Sequence, residues 1–157
     1  MYRCRFSTDF GCMAFEATDA GISRVTVPCN KNRVGGKSVS GPHPKYLGQL
    51  QSDLRKYFSG GEVDFRGYPL DLSGGSRFQR AVWAAVRRIP YGKTLTYAQV
   101  AHVLGKPEAA RAVGGALKAN PLPVLVPCHR VVASDGLGGF SLGVRLKERM
   151  LRMEGAI

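Results

Sequence analysis

The alternation of apolar and polar residues divides the chain into regions of different period. Residues 2–28 read as short strands, with turn signals at Phe10-Gly11 and at Asp19-Ala20-Gly21. Ile22-Ser23-Arg24-Val25-Thr26-Val27 alternates up to Pro28. A period of two sets one face of a strand inward, and glycine-containing breaks are turns, so this region predicts short antiparallel strands. Asn30 to Gly41 has no period and is rich in Gly, Ser and basic residues, the pattern of a mobile loop. From about Pro44 to Phe58 the period becomes helical. Leu47, Leu50, Leu54, Tyr57 and Phe58 share one face, and Ser59-Gly60-Gly61 ends it. Val63 to Leu72 reads as extended and Ser73-Gly74-Gly75 as a linker, giving domains of residues 1–75 and 76–157.

The second half is patterned as helices. Ser76-Arg77-Phe78-Gln79 is a capping box opening a helix with Phe78, Val82, Ala85, Val86 and Ile89 on one stripe, stopped by Pro90-Tyr91-Gly92. Thr96-Tyr97-Ala98-Gln99 is a second capping box, and its helix aligns Tyr97, Val100, Ala101 and Leu104 before Gly105. Pro107 suits the first turn of a third helix running to about Lys118, with Glu108 favourable near its N-terminus. The two helices around Gly105-Lys106 carry a helix-turn-helix signal. Gly114 and Gly115 lie inside the second of them, at a cost of about 1 kcal/mol each relative to alanine. Two readings account for that cost: tight packing of this helix on the core, or a smooth face entering a nucleic-acid groove with Arg111 projecting. A last helix spans about Leu142 to Glu154. Leu146, Met150 and Met153 are set inward, and Arg145, Lys147, Arg149 and Arg152 supply charge. Glu154 sits at the helix end, where the dipole disfavours a carboxylate unless a cation or imidazole answers it.

Candidate chemistry is concentrated at Val126-Pro127-Cys128-His129-Arg130. Leu122 to Val126 reads as a buried strand that Pro127, lacking an N–H, terminates. In a turn after that strand, a thiol and an imidazole side by side can share a pocket as nucleophile and base. The competing reading is an inert core cysteine beside an unrelated histidine.

Charge narrows the class of partner. The 157 residues carry 23 Lys/Arg against 11 Asp/Glu, a net +12. Residues 71–157 hold 13 basic and 5 acidic residues, so +8 of that excess falls in the second half. Such an imbalance favours a polyanion, most simply nucleic acid, over the bland alternative of a basic soluble surface. No apolar run spans a bilayer, and Met1 to Arg5 lacks a signal-peptide core, so a soluble cytoplasmic protein is expected. Cys4, Cys12, Cys29 and Cys128 form no C-x-x-C pair. Free thiols filling the N-terminal core are the default for the first three, with a disulfide among them left open.

Phe78-Gln79-x-x-Val82-Trp83, Ile89-Pro90-Tyr91-Gly92-Lys93-Thr94, Thr96-Tyr97, Arg111 to Ala116, Asn120-Pro121 and Val126 to Val131 occur together and in this order. In these motifs the chain resembles the O6-alkylguanine-DNA alkyltransferase family of DNA repair proteins, closely over residues 76–157 and only in general plan before that. The resemblance implies an α/β (α+β) fold: a small ribonuclease H-like domain of antiparallel sheet and helix, then a mainly helical domain with a helix-turn-helix. It also implies roles. Cys128 would accept the alkyl group, His129 would be the base acting through water, and Glu154 would orient His129. Tyr97 would help turn the nucleotide and protonate the leaving guanine, and Asn120 would brace the turn beside the cysteine. Val131 and Ser141 would contact the flipped base, with Leu117 and Phe140 as pocket walls. Arg111 would fill the gap left by the base, with Ala112, Gly114, Gly115 and Thr96 against the DNA minor groove. The implied partner is double-stranded DNA containing O6-alkylguanine, met by a monomer (cytoplasmic, or nuclear in a eukaryote) without a cofactor.

The departures from the family pattern are local. Phe140 replaces a common tyrosine, residues 133–139 are one shorter than in some members, and the histidines with which some relatives bind zinc are missing. Three rival classes are distinguishable in principle. A non-catalytic damage-binding module would lack the acceptor Cys128, a Cys–His–Glu hydrolase would turn over, and a sequence-reading regulator would need base-reading side chains in place of alanine and glycine.

Overall fold

The structure, a computed structural model, describes residues 1–27 and 43–157. Cys29 and the basic segment expected to form a loop lie outside the described residues. The chain forms two compact units, Met1–Leu72 and Ser73–Ile157. Among the described residues the architecture is mixed α/β: a small antiparallel sheet of three strands together with five α-helices.

In the first unit β1 (Tyr2–Thr8), β2 (Gly11–Thr18) and β3 (Gly21–Thr26) form an antiparallel meander. Register pairs Cys4 with Phe15 and Phe6 with Met13, all buried, while Arg3 faces Glu16 on the outer side at 3.3 Å. Each hairpin turn is held by the threonine that precedes it: the Phe10 N–H donates to Thr8 Oγ1 and the Ala20 N–H to Thr18 Oγ1, both at 3.2 Å. Gly21 is required by close approach as well as by its φ of +149°, since a Cβ there would stand 2.7 Å from the Pro69 carbonyl carbon. The run expected to be extended from Val63 is mostly irregular, with a turn at Arg66-Gly67, and Leu70 alone bridges to Ile22. α1 (Tyr46–Phe58) buries all five residues of its forecast apolar face. Cys4 is buried, as core filling requires, with its thiol 3.4 Å from Gln51 Oε1, whereas Cys12 is disulfide-bonded and departs from the free-thiol default.

The second unit contains α2 (Arg77–Val86), β4 (Leu95–Thr96), α3 (Tyr97–Val103), α4 (Ala110–Lys118), β5 (Val131–Val132) and α5 (Val144–Met153). Both capping boxes form: the Gln79 N–H donates to Ser76 Oγ and the Gln99 N–H to Thr96 Oγ1, each at 3.1 Å, and each glutamine answers the cap N–H. On α2 the inward stripe is Val82, Trp83 and Val86; Phe78 and Ala85 are only half-buried. The Trp83 indole displaces them because its N–H reaches the Ala116 carbonyl on α4 at 2.9 Å. α4 begins at Ala110, later than forecast, because Pro107-Glu108 closes a separate turn with the Ala109 N–H on the Lys106 carbonyl. β4 and β5 pair in parallel, setting Leu95 beside Val131 and Thr96 beside Val132. No helix among the described residues is long and apolar enough to cross a membrane.

Two forecasts fail in instructive ways. Residues 122–126 are not a strand but a buried turn, in which the Val126 N–H donates to the Leu122 carbonyl at 2.8 Å and Val124 adopts φ +77°. That conformation is costly for a β-branched residue. Pro121, Pro123 and Pro127 remove alternate N–H donors, so no ladder can run through this segment. On α5 the buried face is Lys147, Met150, Leu151 and Glu154, while Leu146 and Met153 are half-buried. Lys147 was expected on the charged outer face and is instead fully buried.

Candidate active site

Pro127, at φ −77° and ψ 66°, makes an inverse γ-turn in which the Cys128 N–H donates to the Val126 carbonyl at 2.7 Å. Cys128-His129-Arg130 then winds as one 3-10 turn. Asn120 clamps this corner from both sides. Its Nδ2 donates to the Val126 carbonyl at 3.0 Å and its Oδ1 accepts the Leu122 N–H at 2.9 Å.

The three residues of the 3-10 turn have different surroundings. Cys128, 6 % exposed, lines a cavity of about 410 Å³ together with Tyr97, Gly114, Leu117, Lys118, Gly139, Phe140 and Ser141. His129 is wholly buried, and its Nε2 lies 2.8 Å from Glu154 Oε1. Arg130 grips the same carboxylate: Nε donates to Oε2 at 3.0 Å, Nη2 to Oε1 at 2.9 Å, and Nη1 to the Ile89 carbonyl at 2.7 Å. The Gly92 N–H is 3.4 Å from Glu154 Oε2. Glu154 caps α5, and these donors supply the positive surroundings that a carboxylate at a helix C-terminus needs.

Lys147 holds the other side of the cavity. Its Nζ donates to the Val131 carbonyl at 2.6 Å and the Gly139 carbonyl at 3.0 Å, and stands 5.8 Å from the Tyr97 ring centroid. The Tyr97 hydroxyl donates to the Gly139 carbonyl at 3.4 Å. Gly138, at φ +73°, lets the chain pass this close: a Cβ there would stand 2.8 Å from Tyr97 Oη.

Burial shifts Cys128, His129, Tyr97 and Lys147 towards their neutral forms. It raises the Cys128 thiol, against the lowering effect of the Asn120 hydrogen bond and the Lys147 charge. It lowers His129, against the raising effect of Glu154, with Arg130 and Lys147 adding to the lowering. It raises the Tyr97 hydroxyl and brings Lys147 down to about 8. The resting cluster is thus a neutral thiol beside a neutral imidazole, with the Lys147 charge close enough to favour a thiolate once the proton leaves.

Most of the forecast residues come together. Cys128, Tyr97, Leu117, Phe140 and Ser141 line one cavity, with His129 and Glu154 paired behind it. Val131 is fully buried in β5 and meets Lys147 through its carbonyl instead of lining the cavity. Thr96 commits its hydroxyl to the α3 cap. Arg111, Ala112 and Gly115 are exposed on α4. A Cβ on Gly115 would meet nothing within 4 Å, and one on Gly114 would touch only the Tyr97 ring, at 3.9 Å. Packing inside the chain therefore does not demand these glycines. Arg130 and Lys147 were missed as site residues. For Lys147 a signal existed: it lies two helical turns before Glu154, on the same face.

Residues 77–156 match the family model described as 6-O-methylguanine DNA methyltransferase, DNA binding domain. A methylated-DNA–protein-cysteine methyltransferase of Methanosarcina acetivorans is 32 % identical over 99 % of both chains. The chain belongs to the 6-O-methylguanine DNA methyltransferase family. Among solved structures, the Mycobacterium tuberculosis OGT in complex with DNA superposes with a TM-score of 0.81 at 31 % identity, covering 98 % of this chain and 92 % of that one. The O6-methylguanine-DNA methyltransferase of Pyrococcus kodakaraensis gives 0.74 at 26 % identity and 99 % of both chains. Family membership thus extends over both units, although the motifs that signalled it lie in the second.

Proposed function

We propose that this protein is a single-use DNA repair methyltransferase that moves the alkyl group of O6-alkylguanine in duplex DNA onto Cys128. The observation that carries the reading is a buried cysteine opening onto a cavity with an imidazole–carboxylate pair directly behind it. The family's methylated-DNA–protein-cysteine methyltransferases supply the substrate class. The O6 atom is unreachable inside the base stack, so the nucleotide must swing out into the cavity. Arg111, exposed on α4, would occupy the vacated step, and the basic second unit would supply phosphate contacts that read no sequence.

The chemistry follows from the residues. The Cys128 thiol passes its proton through a water to His129 Nδ1, while Glu154 on Nε2 steadies the imidazolium that forms. The thiolate attacks the alkyl carbon: the S–C bond forms as the C–O6 bond breaks, and Tyr97 protonates the departing guanine. The product is a thioether, which has no activated carbonyl for water to attack, so Cys128 stays alkylated. The protein acts as a monomer and consumes itself. In outline the N-terminal unit follows the ribonuclease H-like plan and α3–α4 the helix-turn-helix plan.

Intact-protein mass after incubation with excess duplex DNA carrying O6-methylguanine, followed by peptide mapping, tests this. One methyl on Cys128 and no second turnover is the expected result. Tight binding without a mass change would make the protein a damage-binding module instead.

A further inference from the structure

The Glu154–His129 pair raises a difficulty that the structure itself answers. A carboxylate buried against an imidazole would ordinarily draw a proton onto the ring and rest as an ion pair, because opposite charges close together favour both charged forms. A resting imidazolium cannot accept the Cys128 proton. Arg130 changes the balance. Its guanidinium covers both oxygens of Glu154, with Nε 3.0 Å from Oε2 and Nη2 2.9 Å from Oε1, and its third nitrogen is pinned by the Ile89 carbonyl at 2.7 Å. The Tyr91 ring lies 5.7 Å from the guanidinium and closes that side.

We propose that Arg130 is a positioning residue for alkyl transfer: by neutralising Glu154 it holds His129 as a neutral proton acceptor and fixes the carboxylate on Nε2. The inference rests on the transfer reaction proposed above. The charges facing His129 make the argument. Cys128 and Arg130 come from its own turn, Glu154 and Lys147 from α5, and the Gly92 N–H and Tyr91 from the segment after α2. With Arg130 and Lys147 positive, Glu154 negative, and the thiol and imidazole neutral, the cluster carries one positive charge. A resting imidazolium would make it two in a buried site. Passing the proton from Cys128 to His129 instead leaves the total at one, since a thiolate appears as the imidazolium does. Arg130 thus lets the imidazole take a proton from the thiol while resisting one from solvent. Burial acts in the same direction on the ring.

The test is the pH dependence of single-turnover alkylation by free O6-benzylguanine, which needs no DNA contact, in the wild type, Arg130→Met and Arg130→Lys. In the wild type the rate should fall only below the ordinary histidine range. In Arg130→Met the acid limb should move up by about one pH unit or more, so the rate drops about tenfold at pH values below both limbs and recovers as pH rises. Arg130→Lys should rescue part of that shift, keeping the charge without the two-point grip. ¹⁵N chemical shifts of His129 in the wild type give a readout independent of variant folding, with a neutral ring expected at pH 7. A uniform rate loss at all pH values in Arg130→Met, or an imidazolium at pH 7 in the wild type, would overturn the inference. Failure of the wild type to become alkylated at all would instead overturn the transfer reaction on which it rests.

Discussion

Lys147 offers a sharp thermodynamic test, because burial lowers its pKa against only the opposing Cys128 charge. The ammonium is fully buried and its pKa is depressed from 10.5 to about 8, the principal cause being desolvation. Between those values the unfolded chain holds a proton that the native state does not, so unfolding free energy rises with pH there and is flat at this site below about 8. A shift of about 2.5 units at 1.36 kcal/mol per unit amounts to about 3 kcal/mol, gained between pH 8 and 10.5. The comparison is with Lys147→Met, which fills similar volume without a titrating group. Both chains should carry Cys128→Ser, so that the thiol, which interacts electrostatically with Lys147, drops out. Urea denaturation at intervals from pH 7 to 10.5 then reads the difference between two curves. With the raising effect of Cys128 gone, the Lys147 chain should gain about 3 kcal/mol or more on its methionine counterpart as pH rises to 10.5. Parallel curves would refute the reasoning, and would mean that the Val131 and Gly139 carbonyls, 2.6 and 3.0 Å from Nζ, offset the whole cost of burying the charge.

His129 is depressed too, by burial first, so the native state should lose stability as pH falls below about 6.5, where the unfolded histidine gains its proton first. A His129→Gln chain should show a shallower acid decline in thermal melts. Gly138→Ala should cost about 1–2 kcal/mol for its left-handed backbone and push Tyr97 out of place, lowering both melting temperature and alkylation rate. Trp83→Phe leaves the Ala116 carbonyl without its indole donor and should cost about 1–3 kcal/mol in urea unfolding. Arg111→Ala changes an exposed side chain and should move stability by no more than about 0.5 kcal/mol. It should nevertheless slow repair of duplex DNA more than reaction with free O6-benzylguanine; equal losses in the two assays would remove the intercalating role.

Where an element is specified by its own residues, the sequence was a good guide. The apolar face of α1 and the two capping boxes depend on neighbours three or four positions apart, and all three formed as read. Leu122 to Val126 misled because a β-branched apolar run looks like a strand to any periodicity argument. Its true shape is decided by missing N–H donors at three prolines and by Asn120, whose side chain satisfies the backbone groups that a strand would have paired. Lys147 misled for a different reason. A lysine among arginines at helical spacing reads as a solvated face, and only the carbonyls of Val131 and Gly139, set by the fold, give its ammonium a buried partner. Charge burial is a tertiary fact, so local pattern does not record it.

The same distinction explains how the site is assembled. A 3-10 turn has three residues per turn, so consecutive side chains fan out around its axis. Cys128 thereby meets the cavity while His129 and Arg130 both reach Glu154, and nucleophile, base and carboxylate clamp need only three adjacent residues. The remaining requirement is that α5 dock in one rotational setting. Lys147 and Glu154, seven residues apart on its buried face, fix that setting. Lys147 ties it to β5 and the cavity rim, and Glu154 ties it to the 3-10 turn. A helix rotated or shifted by one residue would strand both buried charges, which penalises misdocking far more than loss of apolar contact would. Lys147 and the capping Glu154 therefore tie α5 to both sides of the nucleophile.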